Sequence, residues 1–208
     1  MRSSGKAVTS ANVKIENLDA LGRARDRLAS LRDGGDKIIA RAVSTLKRRL
    51  TPWMKRDIAQ QYTLPSNKIG SRLRCKGDAN SVTLIGLGRN QRLTNFPCRQ
   101  TRSGVRVEIQ KGRPVDISHA FIQAPTGSAA ASGPQAFIRN AAMTDLPDDV
   151  VDIAVVAKDK HGYPISLLGG PSVAEMMASG DRIDRATDFG RQVFGDEVDR
   201  LAEVARGK

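Results

Sequence analysis

Aromatic side chains are scarce in this chain, at 4% of 208 residues, and Trp53 is the single tryptophan. A platform that stacks single-stranded bases needs several exposed rings, so stacking platforms and RNA-binding sheets of the aromatic type find little material here. Cysteine occurs twice, at Cys75 and Cys98, and histidine twice, at His119 and His161. Two thiols without a neighbouring His or carboxylate cluster do not supply a metal site. They read as free thiols, with a cross-strand disulfide as the alternative. A hydrolase would need a nucleophile beside one of the histidines and a carboxylate behind it. His119 reads as the start of an apolar strand and His161 as part of a turn, so the expectation is no catalytic residue, cofactor or metal. No apolar run approaches the ~18 residues of a membrane span, and the polar N-terminus lacks a signal-peptide pattern. The expectation is therefore no membrane, and a soluble protein assembled or used inside the cell.

Positive charge is abundant: the net charge is +12, and most of it is concentrated in one stretch. Between Ser71 and Pro114 stand Arg72, Arg74, Lys76, Arg89, Arg92, Arg99, Arg102, Arg106, Lys111 and Arg113, against only Asp78 and Glu108, a local net of +8. The stretch reads as short β-strands. Such a basic sheet suits contact with phosphate, where Lys and Arg release counterions without reading sequence. The alternative is a solvated sheet face, since basic residues at alternate strand positions often serve only that purpose.

The pattern along the chain predicts one α+β domain: N-terminal helices, a central, mostly antiparallel basic β-sheet and a C-terminal helix. Residues 1–12 read as a flexible arm and 13–208 as the domain, with helices over 18–62, a β-rich part over 66–165 and a helical part over 172–205. Leu18, Leu21, Leu28 and Leu31 suggest a first short helix, ended by Gly34 and Gly35. Asp36 is placed to cap a second, in which Ile39, Val43, Leu46, Leu50, Trp53, Met54 and Ile58 form one stripe. Pro52 is expected to kink or divide that helix. Lys47, Arg48, Arg49, Lys55 and Arg56 cover its opposite face and read as solvated. Phe96–Arg102 and Val105–Lys111 read as a hairpin around Ser103-Gly104. Ser81–Leu87, Ala120–Gln123, Ala136–Arg139 and Val150–Ala157 are further strand candidates. The order of helices, then sheet, then helix has no β-α-β alternation from which to build a parallel sheet.

Two glycine-rich pieces, Gly86 to Asn90 and Leu168 to Pro171, lack the spacing and context of a phosphate loop. Ser172 with Glu175 three residues on reads instead as a capping box. Asp145, Asp148, Asp149 and Asp152 cluster around Pro147. A divalent-ion site is one reading. An acidic loop, or the electrostatic partner of a basic patch on a neighbouring subunit, is the other.

The stretches TRSGVRVEIQKGRPVDISHAFIQ (residues 101–123) and HGYPISLLGGPSVAEMM (161–177) resemble the minor tail protein Z family of long-tailed phages and prophages, also called tail completion proteins. The resemblance extends over roughly residues 36–205 and rests on the order of short motifs: helix, basic β-region, AFI, loop, AFIR, YPI, GPSV and helix. It implies a structural virion protein, a homo-oligomeric ring, a hexamer by the symmetry of such tails, near the head-proximal end of the tail. Tail tube, tail terminator and neck proteins would be its partners, with double-stranded DNA in the channel, and its location the virion after assembly in the bacterial cytoplasm. It implies no catalytic residue. Ala120, Phe121, Ile122, Tyr163, Pro164, Ile165, Gly170, Pro171 and Ser172 are the residues that match the family pattern, and they would serve fold and assembly. The Ala-, Gly- and Ser-rich loop from Ala124 to Gln135 departs from that pattern. A stand-alone, sequence-nonspecific nucleic-acid-binding protein using the same +8 segment is the alternative.

Overall fold

A computed structural model describes residues 10–15, 35–78, 81–124, 133–139, 146–158 and 164–206. The expected first helix over 18–31 lies outside them. The longest element is α1, Gly35–Gln61, whose apolar residues recur every three or four positions and are buried from Ile38 through Leu46, Leu50 and Met54 to Ile58. Asp36 lies within the first turn instead of capping it, where its carboxylate still complements the unpaired N–H groups of the helix start. Pro52 does not divide the helix. It sits on the exposed face, so the Arg48 carbonyl that loses its donor faces water, while Leu50 and Met54 on either side are fully buried.

A short α2 (Ser66–Gly70) leads into the β-rich part, which is not one basic sheet but three, all with antiparallel pairing. In the first, β3 (Val82–Leu87) lies between β2 (Leu73–Gly77) and β1 (Ser10–Ile15). Ser10 to Asn12, expected in a flexible arm, are thus strand residues, in register from Ser10 opposite Leu87 to Ile15 opposite Val82. β3 buries Val82, Leu84 and Gly86 at alternate positions against the helical layer.

The second sheet runs β10 (Val151–Lys158), β11 (Pro164–Ser172), β9 (Gln135–Arg139), β8 (Ala120–Gln123). The first half of β11 pairs with β9, and its second half pairs with the short β4 (Asn90–Arg92). The third sheet is β5 (Cys98–Gln100), β6 (Gly104–Gln110) and β7 (Arg113–Ser118). Its β5–β6 hairpin follows the expected turn. The Thr101 hydroxyl accepts from the Gly104 amide at 3.1 Å, and the Thr101 amide donates to the Gly104 carbonyl at 2.8 Å.

Ser172 caps α3 (Val173–Ala178) in the anticipated capping box: its side chain accepts from the Glu175 amide at 3.1 Å, and its own amide donates to the Glu175 carboxylate at 2.6 Å. The final α4 (Arg182–Arg206) runs antiparallel to α1, as three contacts establish: Asp57 with Arg182, Trp53 stacked on Phe189 at 5.1 Å, and Thr45 with Glu197. A single apolar core joins both helices to strands of all three sheets. Among the described residues no helix is long and apolar enough to cross a membrane. The fold class is α+β.

Candidate nucleic-acid interface

The ten cations of the basic segment divide among the sheets. Arg74 and Lys76 point to the exposed side of β2, because Leu73 and Cys75 turn the other way toward α1, and Arg72 is half-buried just before them. Arg89 is exposed and Arg92 half-buried at either end of β4. The other five gather on the third sheet. Arg102 is in the β5–β6 turn, Arg99 and Arg106 are directly opposite one another in mid-sheet, and Lys111 and Arg113 flank the β6–β7 turn. Seven residues of β6 separate the two turns, which spreads the five charges over roughly 20 Å.

Alternation explains this display. β6 buries Val105, Val107 and Ile109, leaving Arg106 on the outer face. Charge on that face is not all free. Arg106 forms a two-point ion pair with Asp116 of β7, Nε to Oδ1 at 2.7 Å and Nη2 to Oδ2 at 2.5 Å. The hydrogen bonds from Arg106, with a contribution from Arg99, hold the Asp116 carboxyl below the usual carboxylate range. Arg99, Arg102, Lys111 and Arg113 form no ion pair among the described residues and are exposed. They are the cations this sheet offers to a partner.

The motif residues divide between core and half-buried positions. Ala120, Ile165, Gly170 and Ser172 are buried. Phe121, Ile122, Pro164 and Pro171 are half-buried, and Tyr163 lies outside the described residues. Phe121 stacks on Phe137 across β8 and β9 at 5.8 Å, with the Arg139 guanidinium 5.6 Å from its ring centre. Gln100 ties β5 to β8, its carboxamide oxygen accepting from the Ile122 amide at 2.7 Å. The Leu168-Gly-Gly-Pro171 stretch is strand, not a phosphate loop. A side chain at Gly170 would come within 2.6 Å of the Phe96 ring, so close packing explains the glycine.

Of the other residues weighed, His119 turns the chain between β7 and β8 with φ of 61°, its amide donating to the Ser103 carbonyl at 2.9 Å. His161 and Asp145 lie outside the described residues. Asp149 accepts from the Gln110 carboxamide at 2.9 Å, which joins the acidic turn to β6. No group of three metal-ligating side chains occurs among the described residues. Cys75 and Cys98 are free thiols on different sheets, and burial pushes both above the usual thiol range. The Arg106–Asp116 pair escaped sequence reasoning because β7, with Pro114 in it, did not read as a strand. Arg106 and Asp116 straddling a Gly112 turn was the available signal.

No family model, curated protein or solved structure matches this chain.

Proposed function

We propose that this chain is a structural virion component of the tail-completion kind, working as a homo-oligomeric ring, six-fold by the symmetry of long tails, at the head-proximal end of a phage tail. Neighbours would meet through sheet edges and the acidic turn, one face would dock on tail tube, terminator or neck proteins, and the basic outer face would border double-stranded DNA. The observation that carries the reading is the β5–β6–β7 sheet, where four exposed cations form no ion pair among the described residues, in a chain with few aromatic side chains. Such a face attracts phosphate whatever the sequence, which is what a DNA channel requires. The order of the AFI, AFIR and GPSV motifs on β8, β9 and the β11–α3 junction supports the family assignment.

Reversal of Arg99 and Arg102 to Glu is the direct test, because Arg106 is already engaged by Asp116. Particles carrying the double variant are expected to assemble, with the ring intact, but to lose DNA retention or delivery. Loss of the ring itself would contradict the assignment of this face to the lumen. The rival reading, a free nucleic-acid-binding protein, predicts tight duplex binding by the isolated monomer, with log affinity falling against log salt by about 0.9 per phosphate neutralised.

A further inference from the structure

A second concentration of positive charge lies on the helical layer, and the virion reading makes no use of it. Thr45, Arg48 and Arg49 occupy successive positions of one face of α1, and Glu197 and Arg200 one face of α4. Because the helices are antiparallel, these five residues line one open cleft of about 390 Å³. Among the described residues its wall has no ring and no aliphatic side chain. Pockets for organic ligands are mostly apolar, so this lining selects for charge rather than for a base or hydrocarbon.

The internal contacts leave that charge unbalanced. Arg200 grips Glu197 with Nε at 3.0 Å and Nη2 at 2.8 Å, and the Thr45 hydroxyl donates to the same carboxylate at 3.3 Å. Arg200's hydrogen bonds, chiefly, hold the Glu197 carboxyl below the usual carboxylate range, so it stays ionised at neutral pH. One carboxylate therefore faces three guanidinium groups. Arg48 donates only to the neutral Thr45 hydroxyl, at 3.2 Å, and neither Arg48 nor Arg49 has an ion pair within 4 Å among the described residues. Exposed Lys37, Arg41 and Arg56 along α1 add to the attracting field.

We propose that the cleft between α1 and α4 is a binding site for a phosphate-class oxyanion, contacted by Arg48, Arg49 and Arg200. The site stands independently of the ring. Its ligand is a phosphodiester of a nucleic-acid backbone or a free phosphate, which share the recognised chemistry.

Calorimetric titration of the full chain with inorganic phosphate, at fixed ionic strength, tests it. Saturable binding is expected, and the Arg48→Ala, Arg49→Ala double variant should weaken it about tenfold or more, given the usual strength of charge-assisted hydrogen bonds. Glu197→Gln should bind phosphate more tightly than wild type, because it removes the carboxylate that lines the cleft. A purely structural role for these residues would not produce that gain. Thermal melts of the variants confirm that each is folded. Titration with a short DNA duplex separates the sources. Weakening of duplex and phosphate together in the double variant identifies backbone phosphate, and loss of phosphate alone identifies a free ion. Unsaturable phosphate binding, a double variant that binds like wild type, or a Glu197→Gln variant that gains nothing would overturn the site.

Discussion

Asp57→Ala is expected to lower the melting temperature by roughly 6–20 °C, because it strands a buried guanidinium. Arg182 has a side chain only 3% exposed and donates through Nε to Asp57 at 2.6 Å. Its other bonds go to the Met176 carbonyl, to the Ser179 carbonyl at 3.4 Å and to Gln61 at 2.8 Å, all neutral, so Asp57 is its counter-ion. Removing one partner of such a pair costs about 3–5 kcal/mol, and a domain of this size shifts by about 2–4 °C per kcal/mol. Arg185, which reaches Asp57 from the exposed side at 2.9 Å, cannot replace the lost carboxylate. Replacing both partners, as Asp57→Leu with Arg182→Met, should recover much of the loss, since apolar side chains in both places leave no orphaned charge. A small effect of Asp57→Ala in a thermal melt would show that the pair is not what fixes α1 against α4 at this end.

Gly104→Ala is expected to cost about 3 kcal/mol or more, and Gly195→Ala to stabilise. A Cβ at Gly104 would overlap the carbonyl oxygen of Ile117 and lie 2.9 Å from its carbonyl carbon and 3.0 Å from Ser118 Cα. All three obstacles are backbone atoms of the neighbouring β7, so no rotamer change relieves them. Overpacking ordinarily costs about 1–3 kcal/mol, and rigid backbone puts this case at the top of that range or beyond. The strands must part where the β5–β6 turn carries Arg102, so the cationic face should be disturbed along with stability. Among the described residues, nothing lies within 4 Å of the equivalent position at Gly195, within α4. Alanine there removes the entropic penalty of glycine in a helix, about 0.5–1 kcal/mol. Chemical denaturation of the two variants should move in opposite directions. A neutral Gly104→Ala would contradict the close β6–β7 approach.

What the sequence disclosed and concealed follows from the range of the interactions. The β5–β6 hairpin, β8, β9, β10, the capping box and α4 were legible because each is set by periodicity or by residues a few positions apart. β11 was only partly so. Its Leu168-Gly-Gly-Pro171 composition is that of a turn, and those glycines make sense only once Phe96 and Ile153 are seen pressed against them. β1 owes its structure to a partner strand some 70 residues away, which no local pattern announces. For the candidate site, the amount of positive charge was plain, but its sorting into three sheets depends on pairings across the fold. So do the engagement of Arg106 by Asp116 and the meeting of Arg48 and Arg49 with Arg200 across two helices. Asp57 and Arg182 are 125 residues apart in sequence, and neither position looked unusual among the many charges of its helix.

The central claim, a ring that completes the phage tail, is tested most directly by removing the chain. An early stop codon in its gene, followed by electron microscopy of the induced particles and a count of infectious units, reads out the step it serves. The account predicts headless tails, tailless heads, or whole-looking particles that do not infect. Normal, infectious particles would contradict it and return the exposed cations of the third sheet to a free nucleic-acid-binding role.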